Sequence, residues 1–310
     1  MFSRSGHGLR ATAIAFAALG AGVLGCSLVL DFDLSRNARD LGADAAASDS
    51  GPADAGPCPG DGEMVEMTVA TGQRFCVDRT EVSQRDYRAF VRATAGDAGG
   101  QPDVCFFNTT YTKAQFTEPA DCTGRLDDEA TADLPVTCID WCDARAFCSW
   151  KGKRLCGKVG GGPVPFGPEV VNPAVDQWYA GCSSLGEHEY FYGDEYDPSR
   201  CNGGDRVGDG AGVLWEVGSR PECTGGPNGE VFDMIGNVGE FVDSCLPAPD
   251  GGPSFLDYCV YRGGTAGTKD EQGSHAYLRC GRAPPPEQNT AATRNYGASF
   301  IGFRCCADLP

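Results

Sequence analysis

The sequence predicts a mixed α+β domain with few helices, short strands and long loops stapled by disulfides. Three observations carry that prediction. The 310 residues include 44 glycines and 20 prolines, which favour turns over a helix bundle. They also include 17 cysteines, far more than a reducing cytosol would keep cross-linked. Only two segments repeat apolar residues at a helical spacing over a useful length.

The first of these segments is SQRDYRAFVRATAG, 83–96. Ser83 is a good N-cap with Asp86 close behind it. Tyr87, Phe90 and Val91 form an apolar stripe, and Gly96 stops the helix. The second is DWCDARAFCSWKGKR, 140–154. Asp140 caps it, Ala144, Phe147 and Cys148 share a face, and Lys151 with Gly152 closes it. Elsewhere short apolar pieces such as EMVEMTVA and SFIGFRCC alternate with turn-forming Gly, Pro, Asn and Asp. These read as strands.

The N-terminus reads as a targeting segment, residues 1–25. Arg4 and Arg10 precede the apolar run ATAIAFAALGAGVLG, which is short for a membrane span. The run ends in VLGC, which resembles a bacterial lipobox. On that resemblance Cys26 carries the lipid and anchors the chain to a membrane, and the competing reading is ordinary cleavage with release. Residues 26–57 are dominated by Ala, Asp, Gly and Ser and read as a disordered tether. About 30 flexible residues reach roughly 30 Å. The folded domain is expected over 58–310.

Charge and cysteine usage exclude several functions. The formal net charge is −18, with 43 acidic against 25 basic residues, so no basic groove is offered to a nucleic acid. Without Cys26, sixteen cysteines remain, enough for up to eight bridges whose pairing the sequence does not reveal. No C-x-x-C pair suggests a zinc site. The glycine-rich KVGGGPVPFG (158–167) lacks the Lys-Ser/Thr of a phosphate loop. His188 sits among Glu187, Glu189 and Asp194 and reads as an exposed acidic loop, because a second histidine is missing. Trp141, Trp150, Trp178 and Trp215 read as core.

Five stretches in order then resemble one family. CVDRTEVSQRDYRAFV (76–91), LPVTCIDWCDARAFCSWKGKRL (134–155), FDMIGNVGEF (232–241), YRGGT (261–265) and IGFRC (301–305) are similar to successive motifs of the formylglycine-generating enzyme, or sulfatase-modifying factor, family. The resemblance implies a single C-type-lectin-like α+β domain. It also implies calcium at the FDMIGNVGEF loop, held by the Asn237 amide, a main-chain carbonyl of Gly236 or Val238, and the Glu240 carboxylate. Oxygen donors of this kind suit calcium. A second calcium site would use Asn202, with Asp209 as its loosely matched carboxylate. The competing reading makes Asn237 a left-handed turn residue and Glu240 a solvated side chain. The family motif usually carries Trp where Gly239 and Phe241 stand here.

The family's activity oxidises a substrate cysteine with molecular oxygen at a copper(I) ion held by two cysteines. Copper(I) prefers soft thiolates. The matching positions fall near Thr268, and near Gly273 or Leu278, and none is cysteine. Cys280 stands alone there, and His275 lies in the same loop. These two are the weak catalytic candidates. The sequence thus favours an envelope-anchored lipoprotein that binds a peptide, a glycan or an envelope protein in a groove floored by 262–280. The alternative is a copper-dependent formylglycine-generating oxidase that recruits thiols such as Cys259 and Cys280 and acts on a cysteine of sulfatase-like substrates.

Overall fold

The computed structural model describes residues 57–60, 62–112, 116–117, 122, 128–166, 171–205, 212–248, 251–268, 278–281 and 291–309. Cys26, Asp209, Gly273 and His275 lie outside the described residues, as do the targeting segment and all of the tether but residue 57. The described residues fall in one compact unit, Pro52–Pro310.

The strands are β1 (Met64–Thr68), β2 (Arg74–Asp78), β3 (Phe116–Thr117), β4 (Arg154–Leu155), β5 (Thr224–Gly225), β6 (Val231–Phe232), β7 (Gly239–Leu246), β8 (Tyr258–Arg262), β9 (Ala291–Thr293), β10 (Tyr296–Gly297), β11 (Ile301–Phe303) and β12 (Cys305–Asp308). The helices are α1 (Gln84–Ala93), α2 (Trp141–Trp150) and α3 (Gln177–Cys182). One four-stranded sheet has the order β1-β2-β12-β4 and another the order β11-β7-β8-β9. Two smaller pairs, β10-β3 and β5-β6, complete the strands. The mixed α+β class with few helices and short strands is as the sequence predicts.

Both predicted helices form, and both end early. Ser83 Oγ accepts the Asp86 N–H at 3.2 Å and starts α1. Ala95 and Gly96 then turn left-handed, at φ 53° and 70°, and close it. Asp140 and Asp143 form a reciprocal capping box at the start of α2. Gly152, at φ 71°, ends that helix, and Arg154–Leu155 pass into β4 instead of extending it. The six-residue α3 was not anticipated, because one and a half turns carry too little periodicity to read.

The helices pack two cores against the sheets. Tyr87 and Phe90 of α1 meet Phe147 of α2 and Phe303 of β11 in the first. Trp178 of α3 meets Val65, Met67, Phe75 and Val77 of the β1–β2 pair in the second. Trp141 and Trp178 are buried as expected, whereas Trp150 is 44% exposed and Trp215 is half-buried. Trp150, the last residue of α2, packs against Phe90 and Phe147 at ring-centroid distances of 5.6 and 5.9 Å and leaves the rest of its side chain in water.

All sixteen cysteines from Cys58 onward are bridged: 58–76, 105–142, 122–138, 148–305, 156–306, 182–280, 201–223 and 245–259. Cys305 and Cys306 are neighbours on one strand and so face opposite sides of it. One binds α2 in the first core, and the other binds Cys156 in the second. Eight bridges place the folded chain in an oxidising compartment, periplasmic or extracellular. No described helix is long and apolar enough to cross a membrane.

Candidate functional site

Two of the motifs meet in space. The Arg-Gly-Gly-Thr turn that follows β8 is laid against the Gly-Asn-Val-Gly-Glu loop that leads into β7. Gly236 N–H donates to Gly263 O at 2.7 Å, and Ala266 N–H donates to Asn237 O at 2.9 Å. The approach is close enough to demand glycine. A methyl group on Gly263 would meet Met234 O at 2.5 Å, and φ there is 89°.

Beneath the turn lies Arg262, which is buried. Its Nη1 donates to Asp176 Oδ2 at 2.8 Å, and its Nη2 donates to Cys280 O at 2.7 Å. The guanidinium stacks 4.5 Å from the Trp178 ring. Asp176 also caps α3 through the Tyr179 N–H at 2.9 Å. Burial pushes the Asp176 carboxyl up to about 6 despite the opposing charge of Arg262. The Cys182–Cys280 bridge ties the end of α3 to the same wall. Sequence reading did not connect these residues, since Asp176 and Arg262 are 86 positions apart.

Above this support opens a cavity of about 730 Å³. Its floor runs from Arg262 through Gly263, Gly264, Thr265, Ala266 and Gly267 to Thr268. Tyr261, Tyr296 and Phe300 supply aromatic faces, and all three residues of β9 form one wall. Thr265 and Thr268 share a hydroxyl contact at 3.0 Å, and Thr268 Oγ1 accepts the Thr265 N–H at 2.8 Å. Arg279 reaches the rim paired with Glu189, and no carboxylate occurs among the described lining residues. Gly239, where the family usually has Trp, lies under the Tyr261 ring, which comes within 2.6 Å of where a methyl group would sit. Phe241 is fully buried, edge-on to the same Tyr261 ring.

The residues do not fit a copper centre. Thr268 brings a hydroxyl to the place matched to the first thiolate. Cys280 is bridged to Cys182, and Cys259 is bridged to Cys245. The expectation that Cys259 and Cys280 could be recruited as a thiol pair is thereby corrected, because disulfide sulfur is not a thiolate ligand.

Nor does the FDMIGNVGEF loop fit calcium as expected. Glu240 is fully buried and faces a protein cation. Arg304 Nε donates to its two oxygens at 2.9 and 2.8 Å, Arg304 Nη2 donates to Oε1 at 2.6 Å, and Trp178 Nε1 donates to Oε2 at 2.7 Å. Asn237 does take the left-handed conformation, at φ 54°. Its amide oxygen accepts from Asn202 Nδ2 at 3.0 Å and from Trp215 N–H at 2.9 Å, and its Nδ2 donates to Glu81 Oε2 at 3.1 Å. Val238 is buried beside Gly302. Asn202, Asn237, Val238 and Glu240 are thus brought together, with Asp209 outside the described residues, but the Glu240 carboxylate and the Asn237 amide are already engaged by Arg304, Trp178, Asn202, Trp215 and Glu81. Glu240 is not solvated either, contrary to the competing reading.

Arg304 anchors a buried acidic cluster that sequence reading missed. Burial, and then the charges of Asp233 and Glu240, raise Glu81 well above the carboxylate range. Asp233 rises to about 6, mainly through burial. Burial disfavours charge on Arg304, but Glu240, Glu81 and Asp233 outweigh it and hold the guanidinium charged. Glu81 Oε1 has no hydrogen-bond partner. The sequence signal for this cluster was thin: Glu81 lies in the resemblance stretch 76–91 and Arg304 in 301–305, with nothing local to pair them. In the acidic loop, His188 Nδ1 lies 3.3 Å from Asp194 Oδ1. Among the described residues no group of three His, Cys, Asp or Glu side chains could hold a metal ion.

With this geometry in hand, the relatives can be placed. The profile of the Sulfatase-modifying factor enzyme 1-like domain matches residues 36–309. The chain is 26% identical over 283 residues to the Inactive C-alpha-formylglycine-generating enzyme 2 of Mus musculus, covering 80% of this chain and 79% of that one. It is 25% identical over 303 residues to the Formylglycine-generating enzyme of Streptomyces coelicolor, covering 81% and 83%. Among solved structures it is similar to PvdO from Pseudomonas aeruginosa, with a TM-score of 0.48, 20% identity, and 83% and 89% of the two chains covered. The motif order read from the sequence and the family match over most of the chain agree, and the chain belongs to the sulfatase-modifying factor enzyme 1-like family.

Proposed function

We propose that this chain is an envelope-anchored lipoprotein whose sulfatase-modifying-factor-like domain binds a ligand in the groove above Arg262 and does not oxidise it. One observation carries the reading: the sulfur of the folded domain is committed to bridges. Thr268 stands in the groove where the resemblance calls for a thiolate, and Cys280 is bonded to Cys182. The groove is shaped for binding, with a glycine floor, three aromatic rings and hydroxyls from Thr265 and Thr268. A site of this size suits a peptide segment or a short glycan. The mouse and cattle relatives carry the word inactive in their names, which supports the reading without the oxidation. The lipobox resemblance at Cys26 supplies the anchor.

A thiol titration of unreduced, natively folded Cys26→Ser protein tests this. We expect less than one reactive thiol per chain and no stoichiometric copper(I) uptake. Two accessible thiols that take up one copper(I) ion would overturn the binding reading in favour of the oxidase. In cells, Cys26→Ser should leave the membrane fraction, and retention there would sink the anchor.

A further inference from the structure

The eight disulfides differ in what would follow if one were opened. A thiolate that attacks one sulfur of a bridge ejects the other sulfur as a thiolate. That leaving group is charged, and it is costly where water cannot reach it. In five bridges both cysteines are buried. Cys58 and Cys245 are partly exposed, but their partners Cys76 and Cys259 are fully buried. Attack on either from outside would strand a thiolate in the core. Cys122–Cys138 is the exception, because both of its residues are partly exposed. Here the ejected thiolate has water beside it.

Of the two sulfurs, Cys138 is the better leaving group. Thr137 Oγ1 donates to its sulfur at 3.9 Å, and a donor there favours the charged form. The Cys138 backbone is left-handed, at φ 65°, which a residue with a Cβ holds only where its surroundings impose it. The surroundings do so. Val136 and Ile139 are fully buried, and Val136 N–H donates to Val82 O at 2.9 Å. Cys138 N–H donates to Ala298 O at 2.9 Å, and Asp140 caps α2 just beyond. Cys138 therefore keeps its place without the bridge.

The Cys122 arm bears on the groove wall. It follows β3, which is two residues long and pairs in parallel with Tyr296–Gly297, its one strand partner among the described residues. Tyr296 lines the cavity, as do Ser299 and Phe300 just after Ala298. Residues 296–298 are thus held by β3 at one end and by Cys138 at the other, and the bridge ties these two holders together. A pairing of two rungs has little strength of its own.

We propose that Cys122–Cys138 is an exchangeable disulfide, opened by a small-molecule thiol, and that its opening releases β3 from the Tyr296 wall of the groove. In the first step a thiolate RS⁻ bonds to Cys122 Sγ, the bridge breaks, and the electron pair leaves on Cys138 Sγ, which takes a proton from water. A second RS⁻ attacks the R sulfur of the mixed disulfide and releases RSSR and the Cys122 thiolate. The chain gains two electrons and the two thiols lose them. RSSR closes the bridge again by the reverse steps. Until a thiol arrives all sixteen cysteines from Cys58 onward stay bridged, so the exchange neither needs the groove-binding reading nor alters its thiol count.

The test holds the full, unreduced chain in millimolar glutathione at about pH 8, where a thiol is partly thiolate. Samples are quenched with iodoacetamide and mapped by peptide mass spectrometry. We expect glutathione on Cys122 and alkylation of Cys138, at least about tenfold faster than opening of any other bridge. Another bridge opening first would overturn the assignment. Glutathione on Cys138 in place of Cys122 would overturn the choice of leaving sulfur. Thr137→Val keeps the shape and removes the hydroxyl, so exchange should slow severalfold, and an unchanged rate would overturn the role given to Thr137. Hydrogen exchange reads the wall. Amides of residues 296–298 should exchange at least about tenfold faster once the bridge is open, while α1 and α2 stay protected and serve as the folding control. Unchanged exchange at 296–298 would overturn the link to the groove and leave the exchangeable bridge standing. Oxidised glutathione should restore the bridge and the slow exchange together, and failure to restore them would overturn reversibility.

Discussion

Replacing Arg304 by methionine strips a buried carboxylate of its counter-charge while keeping most of the side-chain volume. Arg304 makes three contacts of 2.6 to 2.9 Å with Glu240, and it also donates to Asp78 O at 3.0 Å and to Phe232 O at 2.8 Å. After the change, only Trp178 Nε1 still faces Glu240, and two carbonyls lose a donor. Removing one partner of a buried pair costs about 3–5 kcal/mol, because the other charge is stranded. For a domain of this size each kcal/mol moves the melting temperature by about 2–4 °C, so the drop should be roughly 6–20 °C. The double variant Arg304→Met/Glu240→Met removes both charges and should recover at least about half of that loss. Scanning calorimetry in EDTA and in millimolar calcium reads all three proteins. A metal ion at a hundred times its Kd would add about 2.7 kcal/mol. A wild-type melting temperature that climbs by several degrees in calcium, with the climb lost in Glu240→Gln, would refute the assignment of Glu240 to Arg304. So would an Arg304→Met cost below about 1 kcal/mol.

Three further outcomes follow from the same structure. The Cys148–Cys305 and Cys156–Cys306 bridges are nearly redundant, since eight positions separate their first cysteines and one separates their second. Either alone should therefore cost about 2–3 kcal/mol, the value for a loop of roughly ten residues, while deleting both should cost more than the sum; denaturant unfolding of the four variants checks the inequality. Burial raises Asp140 to about 7, with backbone N–H donors and Arg294 opposing. A carboxyl whose folded pKa lies above its unfolded value contributes stability that is present at low pH and is lost as pH rises through the folded pKa. Stability should decline between about pH 4 and pH 7, and Asp140→Asn should flatten that decline in a pH series of melting curves. Gly263→Ala places a methyl 2.5 Å from Met234 O at a positive φ, so it should destabilise by at least about 1–3 kcal/mol and distort the groove floor; unchanged melting together with unchanged peptide affinity would contradict the close-approach argument.

Much of the architecture was legible because it is local. Ser83 and Asp140 announce their helices through side-chain caps within three residues of the turns they close. The glycines that end α1 and α2 act at their own φ angles. The class of fold followed from glycine, proline and cysteine content, and the family from motifs whose order survives in a linear string. The candidate site was legible only in outline. A groove floored by 262–280 is legible, and of that stretch the described cavity is lined by Arg262–Thr268 and Arg279, but its β9 wall, its aromatic faces and the α3 support beneath it are not legible. Six-residue α3 has no periodicity to detect, and Tyr261, Tyr296 and Phe300 are separated in the chain, so nothing local marks them as faces of one groove.

What a linear string conveys is chemistry within a few residues: caps, turns, the supply of sulfur, the sign of the charge, and the absence of a thiol at Thr268. What it omits is partnership across distance. Glu240 could be read as a metal ligand or as a solvated side chain until the fold brought Arg304 to it from 64 positions away. Cys280 could be a thiol until α3 delivered Cys182. In both cases the competing states differ by the burial of a charge or the closure of a bridge. Those terms amount to several kcal/mol and depend on which distant group the packing supplies.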